Sequence, residues 1–172
     1  MEPFDLGAIR RALHDWLHAQ TGLQVAWSHQ NARPPRLPFA SLSIVSGPQA
    51  VTPRDEQSVV DVLSILHFAV ARGPRLLTVS CQTYARPYED GKTAMDYLVR
   101  AQASLQRPSV RAALGAAGIV VLEDMGINEA PDIVCKSWRS RAHMDVRLAI
   151  TSTISELTDV IESVPVSGGS LE

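Results

Sequence analysis

The 172-residue sequence predicts an α+β domain, a mainly antiparallel sheet packed against two principal helices on one face. Three observations carry that expectation. Apolar residues recur at three- and four-residue intervals in two separate stretches, near the N-terminus and around residues 94–105. The segment WRSRAHMDVRLAIT, residues 138–151, alternates with a period of two, which marks a strand. Its apolar side holds Trp138, Ala142, Met144, Val146, Leu148 and Ile150, and its polar side Arg139, Arg141, His143, Asp145 and Arg147. The chain order is helix, strands, helices, strands, which suits helices gathered against an antiparallel sheet.

Each element follows from local chemistry. Asp5 caps a helix over residues 6–21, with Leu6, Ile9, Leu13, Trp16 and Leu17 as its stripe and Gly22 as its stop. LQVAWSH, 23–29, has strand composition. NARPPRLP then packs three prolines into eight residues, so regular structure is excluded until FASLSIVS resumes a period of two. Residues 46–58, SGPQAVTPRDEQS, combine glycine, prolines and charges with no apolar period and predict a long mobile loop. VVDVLSILHFAVAR and RLLTVSCQTYA predict two antiparallel strands at the centre of the sheet, turned at Gly73-Pro74.

A second helix is expected from Asp90 or Gly91, with Ala94, Leu98, Ala101 and Leu105 on one face and Pro108 as its end. PSVRAALGAAG predicts a short third helix and GIVVLEDMG a brief strand. EDMGINEAPD reads as an acidic loop carrying Glu123, Asp124, Glu129 and Asp132. After the long strand at 138–151, LTDVIESVPVSG alternates again. Pro165 cannot donate to a ladder, so this stretch suits a sheet edge. The expected organisation is one domain over residues 1–166, large enough for its own core, and a flexible tail over 167–172.

Composition narrows the function classes. The 16 basic and 18 acidic residues give a net charge of −2, which argues against autonomous binding of nucleic acid through phosphate neutralisation. No apolar run approaches the roughly 20 residues of a membrane-spanning helix. The N-terminus does not read as a signal peptide, so residence in a cytoplasm is the default expectation. Cys81 and Cys135 lie far apart, with no CxxC pair to suggest zinc.

Candidate chemistry is sparse. His14 and His18 share the helical spacing of a metal pair but have no third ligand near them in sequence. Cys81 sits mid-strand as a packed thiol with no histidine placed to activate it, and His67 reads as a sheet histidine rather than a base. The glycines form neither GxGxxG nor GxxxxGK[ST], so each fits a turn or a cap. No catalytic, cofactor or metal site is expected.

Several segments together resemble one family. NARPPxxPFASL leads into the second strand, TVSCQTYA precedes a helix, and RxHMDVRLAI is followed by DVIESVPVSG. In this order they are similar to the neck or tail-terminator proteins of tailed bacteriophages. The resemblance implies a structural, non-enzymatic virion subunit that assembles in the host cytoplasm into a six-membered ring at the head-proximal end of the tail tube. Its partners would be further copies of itself, the tube protein, the head–tail connector or stopper and a tail sheath. DNA would only pass through the lumen, without sequence-specific binding, and no membrane is implied. The alternatives are a neighbouring adaptor or stopper, a generic interaction module, and a small cytoplasmic enzyme.

Within that resemblance, Arg139, Arg141, His143, Asp145 and Arg147 become a candidate subunit or tube interface, with Arg54, Asp55 and Glu56 of the 46–58 loop contributing. Glu123, Asp124, Glu129 and Asp132 become a candidate lumen-facing acidic loop.

Overall fold

The computed structural model describes residues 4–28, 33–62, 66–86, 91–134 and 136–158. The element order is α1 (Leu6–Thr21), β1 (Gln24–Trp27), β2 (Phe39–Ala50), β3 (Glu56–Val62), β4 (Leu66–Ala85), α2 (Ala94–Ser104), α3 (Pro108–Ala116), β5 (Ile119–Glu129), β6 (Asp132–Val134) and β7 (Ser137–Thr158). The main path of the sheet runs β1-β2-β4-β7-β5, with β3 added to β4 and β6 to β7. β1 pairs parallel to β2, and the other pairs are antiparallel. This is the expected α+β class.

The helices form where their signals stand. Asp5 accepts the Ala8 N–H at 2.8 Å, and the Gly22 N–H closes α1 on the His18 carbonyl at 2.8 Å. Three residues after the expected start, α2 begins with Thr93 at its cap, because the Thr93 N–H donates to Asp96 at 2.7 Å in a capping box. Pro108 both ends α2 and opens α3, where its missing N–H is harmless.

The helices cover one face of the sheet. Ile9, Leu13 and Leu17 of α1 and Leu98 and Ala101 of α2 join Leu42, Leu77, Val79, Cys81, Met144, Val146 and Leu148 in one buried cluster. Two polar contacts fix α2 on the sheet: Ser140 Oγ accepts the Ala94 N–H at 3.0 Å, and Thr83 Oγ1 donates to the Ala94 carbonyl at 2.7 Å. Trp16 Nε1 donates to Ser104 Oγ at 3.0 Å, tying α1 to α2 inside the core.

Four expectations are corrected. Gly73-Pro74 is no turn, because β4 runs unbroken through it and pairs with β7 from His67↔Thr158 to Ala85↔Ser140. The break lies in the neighbouring strand instead. β2 pairs with β4 from Tyr84 to Arg75 and β3 continues along the same edge from Arg72 to Leu66, so the chain bulges away between Ala50 and Glu56. The Pro74 carbonyl accepts from Val51, so Pro74's absent N–H points into that gap, where the ladder needs no donor.

The expected loop at 46–58 is therefore mostly strand, and its bend is pinned: Arg75 donates to Asp55 Oδ1 at 2.7 Å and also bonds Oδ2. A Cβ on Gly73 would overlap the Asp55 carboxylate, so only glycine fits beneath it.

The acidic stretch is also strand. β5 continues to Glu129 through two register shifts against β7, and Gly126 takes φ +78° in the second, where the interrupted alternation imitates a loop. Trp138, assigned to the core side, is 63% exposed, because β7 begins beyond the helical layer. The expected edge strand LTDVIESVPVSG and the 167–172 tail lie outside the described residues after Thr158.

Two stability outcomes follow. Gly73→Ala should lower the melting temperature by on the order of 5 °C, whereas Gly47→Ala, with open space around its Cβ position, should leave it unchanged. Leu148→Ala, at a core position 1% exposed, should cost about 2–5 kcal/mol in denaturant unfolding.

Candidate functional site

The helix-free face of the sheet carries the polar side of β7. Strand alternation fixes this: Met144, Val146 and Leu148 point under the helices, so Arg139, Arg141, His143, Asp145 and Arg147 emerge opposite, all half-buried. Across the ladder they meet Tyr84 beside Arg141, Gln82 beside His143, Ser80 beside Asp145 and Thr78 beside Arg147. Ser41 and Ser43 of β2 extend the same rows.

The arginines are largely occupied within the chain. Arg139 Nε donates to Asp132 Oδ1 at 2.8 Å, and its guanidinium lies 4.8 Å from the Tyr84 ring centre. Tyr84 stacks in turn on Phe39 at 4.7 Å. Arg141 donates to Gln82 Oε1 at 2.9 Å, which also accepts from the Tyr84 hydroxyl at 2.7 Å. Arg147 pairs with Glu123 at 2.6 Å across the β5–β7 ladder. The Arg139 hydrogen bonds hold the Asp132 carboxyl below its ordinary range, and Asp132 raises Arg139 reciprocally. Arg141 Nε and Asp145 Oδ1 are buried without a hydrogen-bond partner among the described residues.

The remaining predicted residues are separated rather than gathered. Asp55 is engaged by Arg75, which lowers its pKa, while Arg54 and Glu56 on either side are exposed. Glu123 and Asp124, adjacent on β5, point to opposite faces, and Asp124 Oδ1 accepts from Gln102 of α2 at 2.5 Å. Glu129 is exposed at the end of β5, and Asp132 stands on β6. The four acids thus do not share one loop.

His18 Nδ1 lies 2.6 Å from the Leu23 carbonyl, and His14 Nδ1 lies 2.9 Å from Asp15. Cys81 is fully buried, and desolvation pushes its thiol up to about 12, so it stays protonated and unreactive.

Exposed apolar residues at the two ends of the sheet were missed by sequence reasoning. At one end, β3, the first half of β4 and the last residues of β7 form a three-stranded arm that contributes nothing to the core cluster. Val59, Val60, Ile154 and Leu157 are exposed there. At the other end, a cleft of about 580 Å³ is lined by Leu37, Ala85, Arg86, Val134, Trp138 and Arg139. The available signal was the pairing of apolar residues at successive positions, Val59-Val60 and Ile133-Val134, which a one-sided strand does not need.

The sequence model of a family described as phage neck terminator protein matches residues 7–172. No curated protein matches the chain. Among solved structures, "Cryo-EM Structure of an Extracellular Contractile Injection System, PVC sheath/tube terminator in extended state" aligns with 100% of this chain at 11% identity and a TM-score of 0.44. The match spans 65% of that protein's own chain, just under two thirds.

The Asp132–Arg139 clamp has a pH signature. Because the folded pKa of Asp132 is depressed, its contribution is present above the unfolded value, about 3.9, and is lost as pH falls through the folded value. At neutral pH Asp132→Asn should lower the melting temperature by about 2–4 °C, in keeping with at most about 1 kcal/mol for a solvent-reached pair. The difference from the natural chain should shrink as pH falls below the unfolded value of about 3.9 and vanish once pH is below the depressed folded value.

Proposed function

From its membership of the phage neck terminator protein family, to which the chain belongs over residues 7–172, we propose that it is a structural subunit that ends the tail tube. In this reading, copies close into a ring through surfaces this chain leaves open, with six members as the expected number. The ring stops tube growth, presents a surface to the head connector or stopper, and lets DNA pass through its lumen. In a contractile tail it also meets the sheath. The observation that carries the proposal is the family match across nearly the whole chain.

The geometry is compatible with such a role. A ring subunit needs a rigid body and separate contact surfaces. One helix-covered core supplies the body, and the open sheet face, the arm and the far cleft supply surfaces. We assign the face bearing Arg139, Arg141, His143, Asp145 and Arg147 to a neighbouring subunit or the tube, with Arg54 and Glu56 at the bend beside it. Its contact is by shape and hydrogen bonding more than by free charge, since Arg139 and Arg147 already hold acids of their own chain. Of the acidic set, Glu129 keeps an exposed carboxylate suited to a lumen that repels DNA, whereas Glu123, though exposed, is paired with Arg147. Asp124 and Asp132 are structural.

The test is genetic and visual. Inactivating the gene in the phage that encodes the chain should give tails of uncontrolled length that fail to join filled heads, and supplying the chain in trans should restore both. Tails of normal length joined to heads without it would refute the proposal.

A further inference from the structure

We propose that the β3–β4–β7 arm of one copy seats in the apolar cleft at the opposite end of the next copy, and that this head-to-tail contact closes the ring. This rests on the ring reading above and names the surfaces that would build it. The arm has an apolar row across its helix-free face, because Val60 pairs with Phe68 and Phe68 with Leu157. Leu157 is 58% exposed and Val60 44%. On the reverse face, Val59 and Ile154 are also exposed. A three-stranded arm with apolar residues uncovered on both faces has no core of its own and gains stability from a partner that covers it.

The occupant is a second copy for three reasons. First, the cleft has matching apolar chemistry, with Trp138 63% exposed and Val134 42% exposed beside Leu37 and Ala85. Second, the two ends are complementary in charge. The described side chains of the arm include two acids, Glu56 and Glu156, and two arginines, Arg72 and Arg75, of which Arg75 is already held by Asp55. The cleft end holds Arg86, Lys136, Arg139 and Arg141 against Glu129 and Asp132.

Third, the arm cannot fill its own cleft. Leu157 and Trp138 lie near opposite ends of the same strand, roughly 60 Å apart at about 3.3 Å per residue. Two different surfaces of one chain that fit each other make a heterologous contact, which gives a ring when the rotation between copies closes.

Disulfide trapping in assembled tails tests this. The chain would carry Leu157→Cys and Trp138→Cys, with Cys135→Ser to remove the second native thiol of the sequence; Cys81 is buried and protonated. Tails purified from the phage would be oxidised and their peptides mapped by mass spectrometry. The expected product is a disulfide joining position 157 to position 138, necessarily between copies, with a ladder of linked species ending at the ring size. Both substituted side chains are exposed, so the melting temperature should match that of the parent.

Incorporation of the variant into rings seen by electron microscopy, with no link between 157 and 138, would overturn the arm contact and leave the ring reading standing. A link of 157 only to 157 would mean a two-fold contact and would overturn it as well. Absence of the natural chain from purified tails would defeat the ring reading, and the arm contact with it.

Discussion

The antiparallel ladder between β4 and β7 is the constraint from which the rest of the molecule takes its geometry. It runs from His67↔Thr158 to Ala85↔Ser140 without a register shift, so every side chain on either strand has a fixed face. Cys81 lies opposite Met144, Val79 opposite Val146 and Leu77 opposite Leu148, and these pairs form the floor on which α1 and α2 pack. The same register places Tyr84 beside Arg141 and Gln82 beside His143 on the other face. A slip by one residue would exchange the two faces and bury the arginines. Burial of each large apolar side chain contributes about 1.5–3 kcal/mol, so the core side opposes such a slip.

The ladder is longer than the helical layer it supports, and this mismatch divides the sheet into a covered body and a bare arm. In the body, ordinary core burial suffices. Beyond Leu77 and Ile150 the strands continue past the described helices, and β3 takes the place beside β4 that β2 leaves. Gly73 and Asp55 make the handover possible, one by its lack of a side chain and the other by clasping Arg75. A protein whose work is assembly has a use for such unfinished surface, whereas a monomer would pay for it in solubility.

Signals that act over a few residues made much of this legible in the sequence. Asp5 and Gly22 bound α1, Pro108 marks the α2–α3 boundary, and the alternation from Ala142 to Ile150 identifies the buried side of β7. The errors share a cause: the deciding partner is distant in sequence. Gly73-Pro74 has turn chemistry, and only the gap between β2 and β3 reveals why a strand tolerates it. Trp138 has the parity of a core residue but lies past the last helix. The charged row was visible as a face, yet its pairing with Asp132, Gln82 and Glu123 depends on a fold that brings three other segments to β7. The bulges of β5 hid a strand because they interrupt its period.

The proposal of a subunit that works among copies of itself at the end of a tube rests on family membership and on the open surfaces. An electron cryomicroscopy reconstruction of the neck in intact particles addresses this most directly. A closed ring of this chain capping the last tube layer, around a continuous lumen, is the expected result. A neck in which the chain is absent, or is present as a single isolated copy away from the tube end, would contradict it.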